Sequence, residues 1–192
     1  LLGSSFRLPE RVQVAEVLRV DSALLSQHVV INKGERDAVF EGQSVLDSSG
    51  VMGQVMTVSQ FSSRVILVTD PSHGTPVQVN RNGLRSVARG RGLNKLLQLE
   101  YLPHKSDIRA GDLLVTSGLS GRFPAGYPVG TVIKVTESLG KKFSKVTVEP
   151  AANIATSREV LLVLPLPDDE TIAFDVVEVI ESDEDQVSSE DK

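Results

Sequence analysis

The chain has 192 residues, 40% of them hydrophobic and only 4% aromatic, with a net charge of −5, which suits one large or two small globular domains. It holds no cysteine, which excludes thiolate metal sites, a cysteine nucleophile and a disulfide framework. No apolar run approaches the roughly 20 residues that span a bilayer, no signal peptide is present, and the abrupt start at Leu1-Leu2-Gly3 reads as a cut made inside a longer protein.

Residues Leu1 to Phe6 read as the end of an incoming helix stopped by Pro9, so 1–10 stands apart. From Val12 onward the chain is a series of short apolar or alternating runs broken by Gly, Pro, Asn and Asp, which is the pattern of strands and turns. With aromatics scarce, the apolar mass is aliphatic and Val dominates it; Val is stiff at χ1 and suits a pleated surface. Strands are predicted over 12–20, 27–32, 43–47, 51–58, 64–68, 75–80, 85–89, 96–101, 112–116, 129–137, 145–149 and 158–164. Asn82-Gly83 marks a two-residue hairpin, since both residues tolerate positive φ. Twelve short strands with almost no helix fit an all-β sandwich or barrel architecture.

The chain also echoes itself. A strand, a Ser-Gly turn, a Gly-led strand and a further strand run from Gly42 through Gly53 to Val68, and again from Gly111 through Gly130 to Val148. Two related β units are the simple explanation. The Gly/Arg-rich stretch Arg89-Gly90-Arg91-Gly92 is the expected boundary, placing the units at 11–92 and 93–165. The first unit then has a strand too many, and an early strand is expected to cross over and complete the second.

Charge is divided unevenly. Up to Pro165 the chain carries a net of +5, and from Leu166 to the end a net of −10. Residues 166–192 therefore read as an acidic, disordered tail on a mildly basic body, although 175–184 mixes apolar and acidic residues and could be weakly helical. A sharper reading is that the tail shields a basic face of the body.

Two barrels raise the serine-protease plan, with His28, Asp70 and Ser117 or Ser120 in triad order. The serines lack the tight glycine-framed context that builds an oxyanion hole. His28, His73 and His104 read as surface or turn residues, with no zinc pair, calcium loop or phosphate loop among the motifs. No catalytic residue, cofactor or metal ligand is therefore assigned. The basic residues Arg81, Arg85, Arg89, Arg91 and Lys95 lie close together with no acid among them. They are the candidate partner-binding residues, facing an acidic protein, anionic lipid or an anionic polymer. With no aromatic stacking partners nearby, nucleic acid is not expected.

Three stretches resemble the bacterial rod-shape-determining MreC family. The first is Val30-Ile31-Asn32-Lys33-Gly34 leading to Gly50-Val51-Met52-Gly53-Gln54-Val55, in which Ala38 stands where the family commonly has Gly. The second is Ser63-Arg64-Val65-Ile66-Leu67-Val68-Thr69-Asp70-Pro71. The third and most specific runs from Gly111-Asp112-Leu113-Leu114-Val115-Thr116-Ser117-Gly118 through Phe123-Pro124-Ala125-Gly126 to Pro128-Val129-Gly130-Thr131-Val132. The resemblance spans about Arg11 to Leu164. It implies two small six-stranded barrels of chymotrypsin-like topology without a triad, following a coiled coil of which residues 1–10 are the remnant. It further implies a periplasmic scaffold anchored in the inner membrane by one N-terminal helix in the full-length protein. Implied partners are the elongation class B transpeptidase (a penicillin-binding protein), RodA, MreD, the MreB system and further copies in a homo-oligomer or filament. Gly34, Gly50, Gly53, Asp70, Pro71, Gly118, Pro124, Gly126, Pro128 and Gly130 are expected to shape turns. Unpaired strand edges are expected to offer the partner surface. The alternatives are a two-barrel serine hydrolase and a free-standing anionic polymer or lipid binder.

Overall fold

The computed structural model describes residues 12–23, 26–92, 96–103, 105–119, 123–136 and 143–164. Each predicted strand forms: β1 Val12–Ala23, β2 Ser26–Ile31, β3 Ser44–Leu46, β4 Val51–Val58, β5 Ser63–Leu67 and β6 Gly74–Val79 in the first half. The second half supplies β7 Arg85–Gly90, β8 Leu97–Glu100, β9 Leu113–Thr116, β10 Pro128–Thr136, β11 Lys145–Pro150 and β12 Glu159–Val163. A 3-10 turn at Glu35–Asp37, which no sequence pattern announced, is held by the Gly34 N–H donating to Asp37 Oδ2 at 3.1 Å. The expected helical remnant at 1–10 and the acidic tail at 166–192 lie outside the described residues.

The strands close two six-stranded barrels, in the cyclic orders β1-β12-β3-β4-β5-β2 and β7-β6-β9-β10-β11-β8. This corrects the division expected at residue 92. Strands β6 and β7 belong to the second barrel, so the chain crosses between barrels just after β5. The strand exchange also runs the other way: a late strand, β12, returns to close the first barrel. The glycines at 90 and 92 are not a linker. A Cβ on Gly90 would lie 2.1 Å from the Thr69 carbonyl carbon, and the Gly92 N–H donates to the Thr69 carbonyl at 2.9 Å. The lack of a side chain on Gly90 lets the end of β7 pack against the true crossing segment.

The two orders superpose strand for strand when β12 is counted first, so that β12 and β1 to β5 match β6 to β11 in turn. The sequence echo falls on matching strands. In β4 and β10 a glycine lies so near its neighbour that a Cβ would meet backbone, Gly53 at 2.1 Å from the Ile66 oxygen and Gly130 at 2.4 Å from the Glu149 oxygen. Two residues later, Val55 and Val132 are paired regularly, and each strand then bulges by one residue. A bulge of this kind bends a strand and increases its twist, which a small barrel needs to close. The extra residues, Met56 and Ile133, are exposed.

Alternation places one face of each strand inside. Val29, Ile31, Val65, Leu67 and Leu162 fill the first barrel, and Val77, Leu97, Leu99, Leu114 and Val148 the second, all at 2% exposure or less. Each such side chain contributes about 1.5–3 kcal/mol by leaving water. The barrels abut where Gly50 faces the Pro128 carbonyl and the Ala151 methyl.

Candidate interaction surface

The enzymatic reading does not assemble. His28 sits half-buried on β2 with its Nδ1 2.7 Å from Ser26 Oγ, while Ser117 Oγ accepts from the Leu119 N–H in its own turn. Among the described residues no hydrogen bond links His28 to Asp70 or Ser117; Ser120 and His104 lie outside them. Asp70 is 1% exposed and serves the backbone: its carboxylate accepts from the Gln27 N–H at 2.7 Å and from both the N–H and hydroxyl of Ser72. Burial works against its charge, but the hydrogen bonds from Ser72 and Gln27 and the nearby His28 outweigh it and hold the carboxyl below its ordinary range. His73, read as a turn or surface residue, ends the turn from Asp70 and is buried at 8% exposure, its ring edge-on to Phe123 at 6.1 Å. The Phe123 ring covers the turn, which sequence spacing across fifty residues does not reveal. Among the described residues no group of three His, Asp or Glu side chains could hold a metal ion, and no helix is long and apolar enough to cross a membrane.

The basic run divides into two kinds of residue. Arg81 donates to Asp107 at 2.8 Å and to Asp112 at 3.0 Å, and Asn82 donates to the Asp107 carbonyl at 2.7 Å. The β6–β7 connection spans five residues, Asn80–Leu84, wider than the two-residue turn expected from Asn82-Gly83, and is closed by the Gly83 N–H donating to the Val79 carbonyl at 2.8 Å. The Arg81 hydrogen bond lowers the Asp107 pKa to about 2 and likewise lowers that of Asp112. Arg89 donates to Glu100 at 2.8 Å across the β7–β8 ladder. Those two guanidinium groups therefore brace the second barrel. Arg85 and Arg91 are exposed, while Lys95 lies outside the described residues.

The turn residues serve more than one purpose. Gly118 and Gly126 have φ of 72° and 92°, a backbone region that suits glycine. Pro124 lies between them, its carbonyl accepting from Thr116 Oγ1 at 2.5 Å. Pro71 follows Asp70 in its turn, and Gly34 presses on the Ser59–Ser62 backbone. Gly53 and Gly130 lie within strands, and Pro128 opens β10 where a missing N–H is tolerated. For these three the expected turn role is replaced by close strand approach and strand entry.

The polar group that sequence reading missed is Asp47. Its carboxylate is 2% exposed and accepts from the N–H groups of Ser49 (2.7 Å), Gly50 (2.9 Å) and Asn153 (2.6 Å), and from the Ser157 hydroxyl at 2.9 Å. It ties the β3–β4 turn to the loop that returns the chain to the first barrel. The only signal was Asp-Ser-Ser-Gly, which reads as an ordinary turn.

The exposed surface carries apolar features of its own. Tyr101 is 75% exposed with φ of 59°, and its ring meets the half-exposed Phe143 ring edge-on at 6.3 Å. Phe61, 60% exposed, carries the Arg36 guanidinium 4.5 Å from its ring centre. Because both barrels close, strand edges are scarce. Among the described residues the longest free stretch is on β1, which pairs with β12 only from Val12 to Glu16 yet runs on to Ala23 against β2; β4 and β10 outrun β3 and β9 by less.

Residues 17–164 match the family model described as rod shape-determining protein MreC, barrel core. The cell shape-determining protein MreC of Escherichia coli is 44% identical over 162 residues, which cover 84% of this chain and 44% of that protein. The chain thus spans less than half the length of that relative. The crystal structure of MreC from Pseudomonas aeruginosa superposes with a TM-score of 0.78 at 51% identity, covering 81% of this chain and 100% of that one. The major periplasmic domain of the cell shape-determining filament MreC gives 0.67 at 25% identity, covering 79% and 94% of the two chains. A complex between penicillin-binding protein PBP2 and MreC from Helicobacter pylori gives 0.62 at 16% identity, covering 79% and 97%, and that likeness is one of fold.

Proposed function

The chain belongs to the rod shape-determining MreC family, and from that premise we propose that it is a non-catalytic extracytoplasmic scaffold of the cell-elongation machinery. It binds a peptidoglycan synthase of the penicillin-binding class, with RodA, MreD and the MreB system as further members of the assembly, and it associates with its own kind. The family match over both barrels carries this reading, together with the H. pylori complex of the same fold. The buried polar residues favour a scaffold as well, since Asp47, Asp70 and Asp112 are spent on backbone and arginine contacts.

The docking surface is proposed to centre on the Tyr101–Phe143 pair. An exposed aromatic pair offers large, stiff contact area of the kind that dominates interface energies. Arg85 and Arg91 would steer an acidic partner, while Arg81 and Arg89 contribute only through the barrel. Calorimetry of the purified protein against the extracytoplasmic part of the elongation transpeptidase from the same cell tests the reading. Saturable binding is expected, with Tyr101→Ala weakening it by about 2 kcal/mol, the loss typical of a central aromatic contact. Arg85→Glu should lower affinity mainly at low salt. Absence of any complex, with the preceding coiled coil restored, would remove the scaffold assignment.

A further inference from the structure

Strand β1 has one side left over. Its pairing with β12 ends at Glu16 opposite Glu159, and the Val17 N–H then donates to the Arg158 carbonyl at 2.8 Å. Among the described residues no strand lies on that side from Leu18 to Ala23, although β2 covers the other side throughout. An unpaired edge of this length presents a row of donors and acceptors to any extended chain. Along it Leu18 and Val20 are exposed at 59% and 45%, with the Arg19–Asp21 ion pair between and beside them. A groove of about 430 Å³ runs beside it between Val17–Val20 and Ala155–Arg158. A second groove of about 580 Å³, lined by Val14 and Leu161, shares Thr156, Ser157 and Arg158 with it.

We propose that residues 172–180 of this same chain lie along that edge as an added strand. The segment is Ile172-Ala173-Phe174-Asp175-Val176-Val177-Glu178-Val179-Ile180, dominated by the β-branched and aromatic residues that suit a strand. Its position in the chain fits. β12 delivers the chain at Val163 opposite Val12, six residues of β1 away from Leu18, or about 20 Å at strand rise. Residues 165–171 can bridge about 23 Å when extended. Leu161, Arg158 and Leu18, which line the two grooves, lie along such a route. Charge along the edge is mixed, with Arg19 and Arg158 beside Glu16, Asp21 and Glu159, so reach and strand character carry the assignment. Docking in cis closes an edge that would otherwise invite strand addition by another chain, so the tail acts as a competitor for whatever extended partner seeks β1.

Hydrogen exchange on the full chain tests this. The backbone amides of Leu18–Ala23 are compared between the unaltered protein and F174D/V176D, whose substitutions lie outside the twelve barrel strands in sequence. Exchange at the alternate amides that point away from β2 is expected to be about tenfold or more faster in the double variant, with β2 unchanged. Equal exchange in both would overturn the proposal. Protection that disappears on dilution would overturn it too, because it would assign the edge to the tail of a neighbouring copy.

Discussion

Ala38 follows the 3-10 turn with φ of 59°, in the left-handed region where a Cβ crowds the next carbonyl. The resemblance to the family had already marked this position, since glycine is common there and alanine stands here. Ala38→Gly is therefore expected to stabilise the protein by about 0.5–1 kcal/mol after the flexibility of glycine in the unfolded chain is counted. Thermal melting should show a rise of about 2–4 °C; a fall would mean the turn tolerates alanine without strain. Arg81 makes a different kind of single-residue claim. It holds the Asp107 pKa at about 2, below the ordinary aspartate value of 3.8. A carboxylate whose folded pKa is depressed stabilises the fold above its unfolded pKa and loses that contribution as pH falls through the folded value. The relevant window is therefore between about pH 4 and pH 2. In Arg81→Ala the Asp107 carboxyl, followed by NMR, should titrate near the ordinary ~4, and acid unfolding should begin at higher pH. An unmoved titration would show that Asn82 alone suffices.

Asp47 decides whether one element holds its place. Strand β12 has only five residues, enters the first barrel from the far end of the chain, and is led in by a loop fastened to Asp47 at Asn153 and Ser157. Asp47→Ala removes the acceptor of four buried or half-buried donors, and leaving such donors unmet costs about 2–3 kcal/mol. The loss should appear first as faster amide exchange in β12 and in the β3 residues it pairs with. Uniform loss across both barrels would mean that β12 is held by the barrel core alone. The glycines at 53 and 130 belong to the same scale, because each sets the approach of a whole strand to its neighbour.

The pair of barrels is one topology used twice, with the first barrel cut open at a different point. In the second barrel β6 and β7 are joined directly through Asn80–Leu84, whereas their counterparts β12 and β1 are paired but sit at opposite ends of the chain. Val163 lies opposite Val12, and directly opposed residues on antiparallel strands are about 5 Å apart, within reach of a short turn. A circular permutant that begins at residue 158, continues through residue 164 and an Asn-Gly turn into Val12, and ends at residue 157 should therefore fold. Circular dichroism and amide exchange would check it. A permutant that folds only its second barrel would show that the late arrival of β12 matters to folding and not just to connectivity.

The sequence alone specified local conformation and kinship. Alternation, β-branching and turn residues placed each strand within a few residues, because those signals act over a handful of neighbours. The echo between Gly53 and Gly130 is visible for the same reason, and the motifs from Gly111 to Val132 point to the family by themselves. What only the tertiary structure decided was which strand joins which barrel, since pairing energy does not depend on how far apart the partners lie in the chain. The glycines at 90 and 92 read as a linker until Thr69 was seen against them. Arg81 and Arg89 read as a free basic face until Asp107, Asp112 and Glu100 arrived from later strands and loops. The open side of β1 was equally invisible, because a strand signal shows that an edge exists but not whether the fold leaves it uncovered.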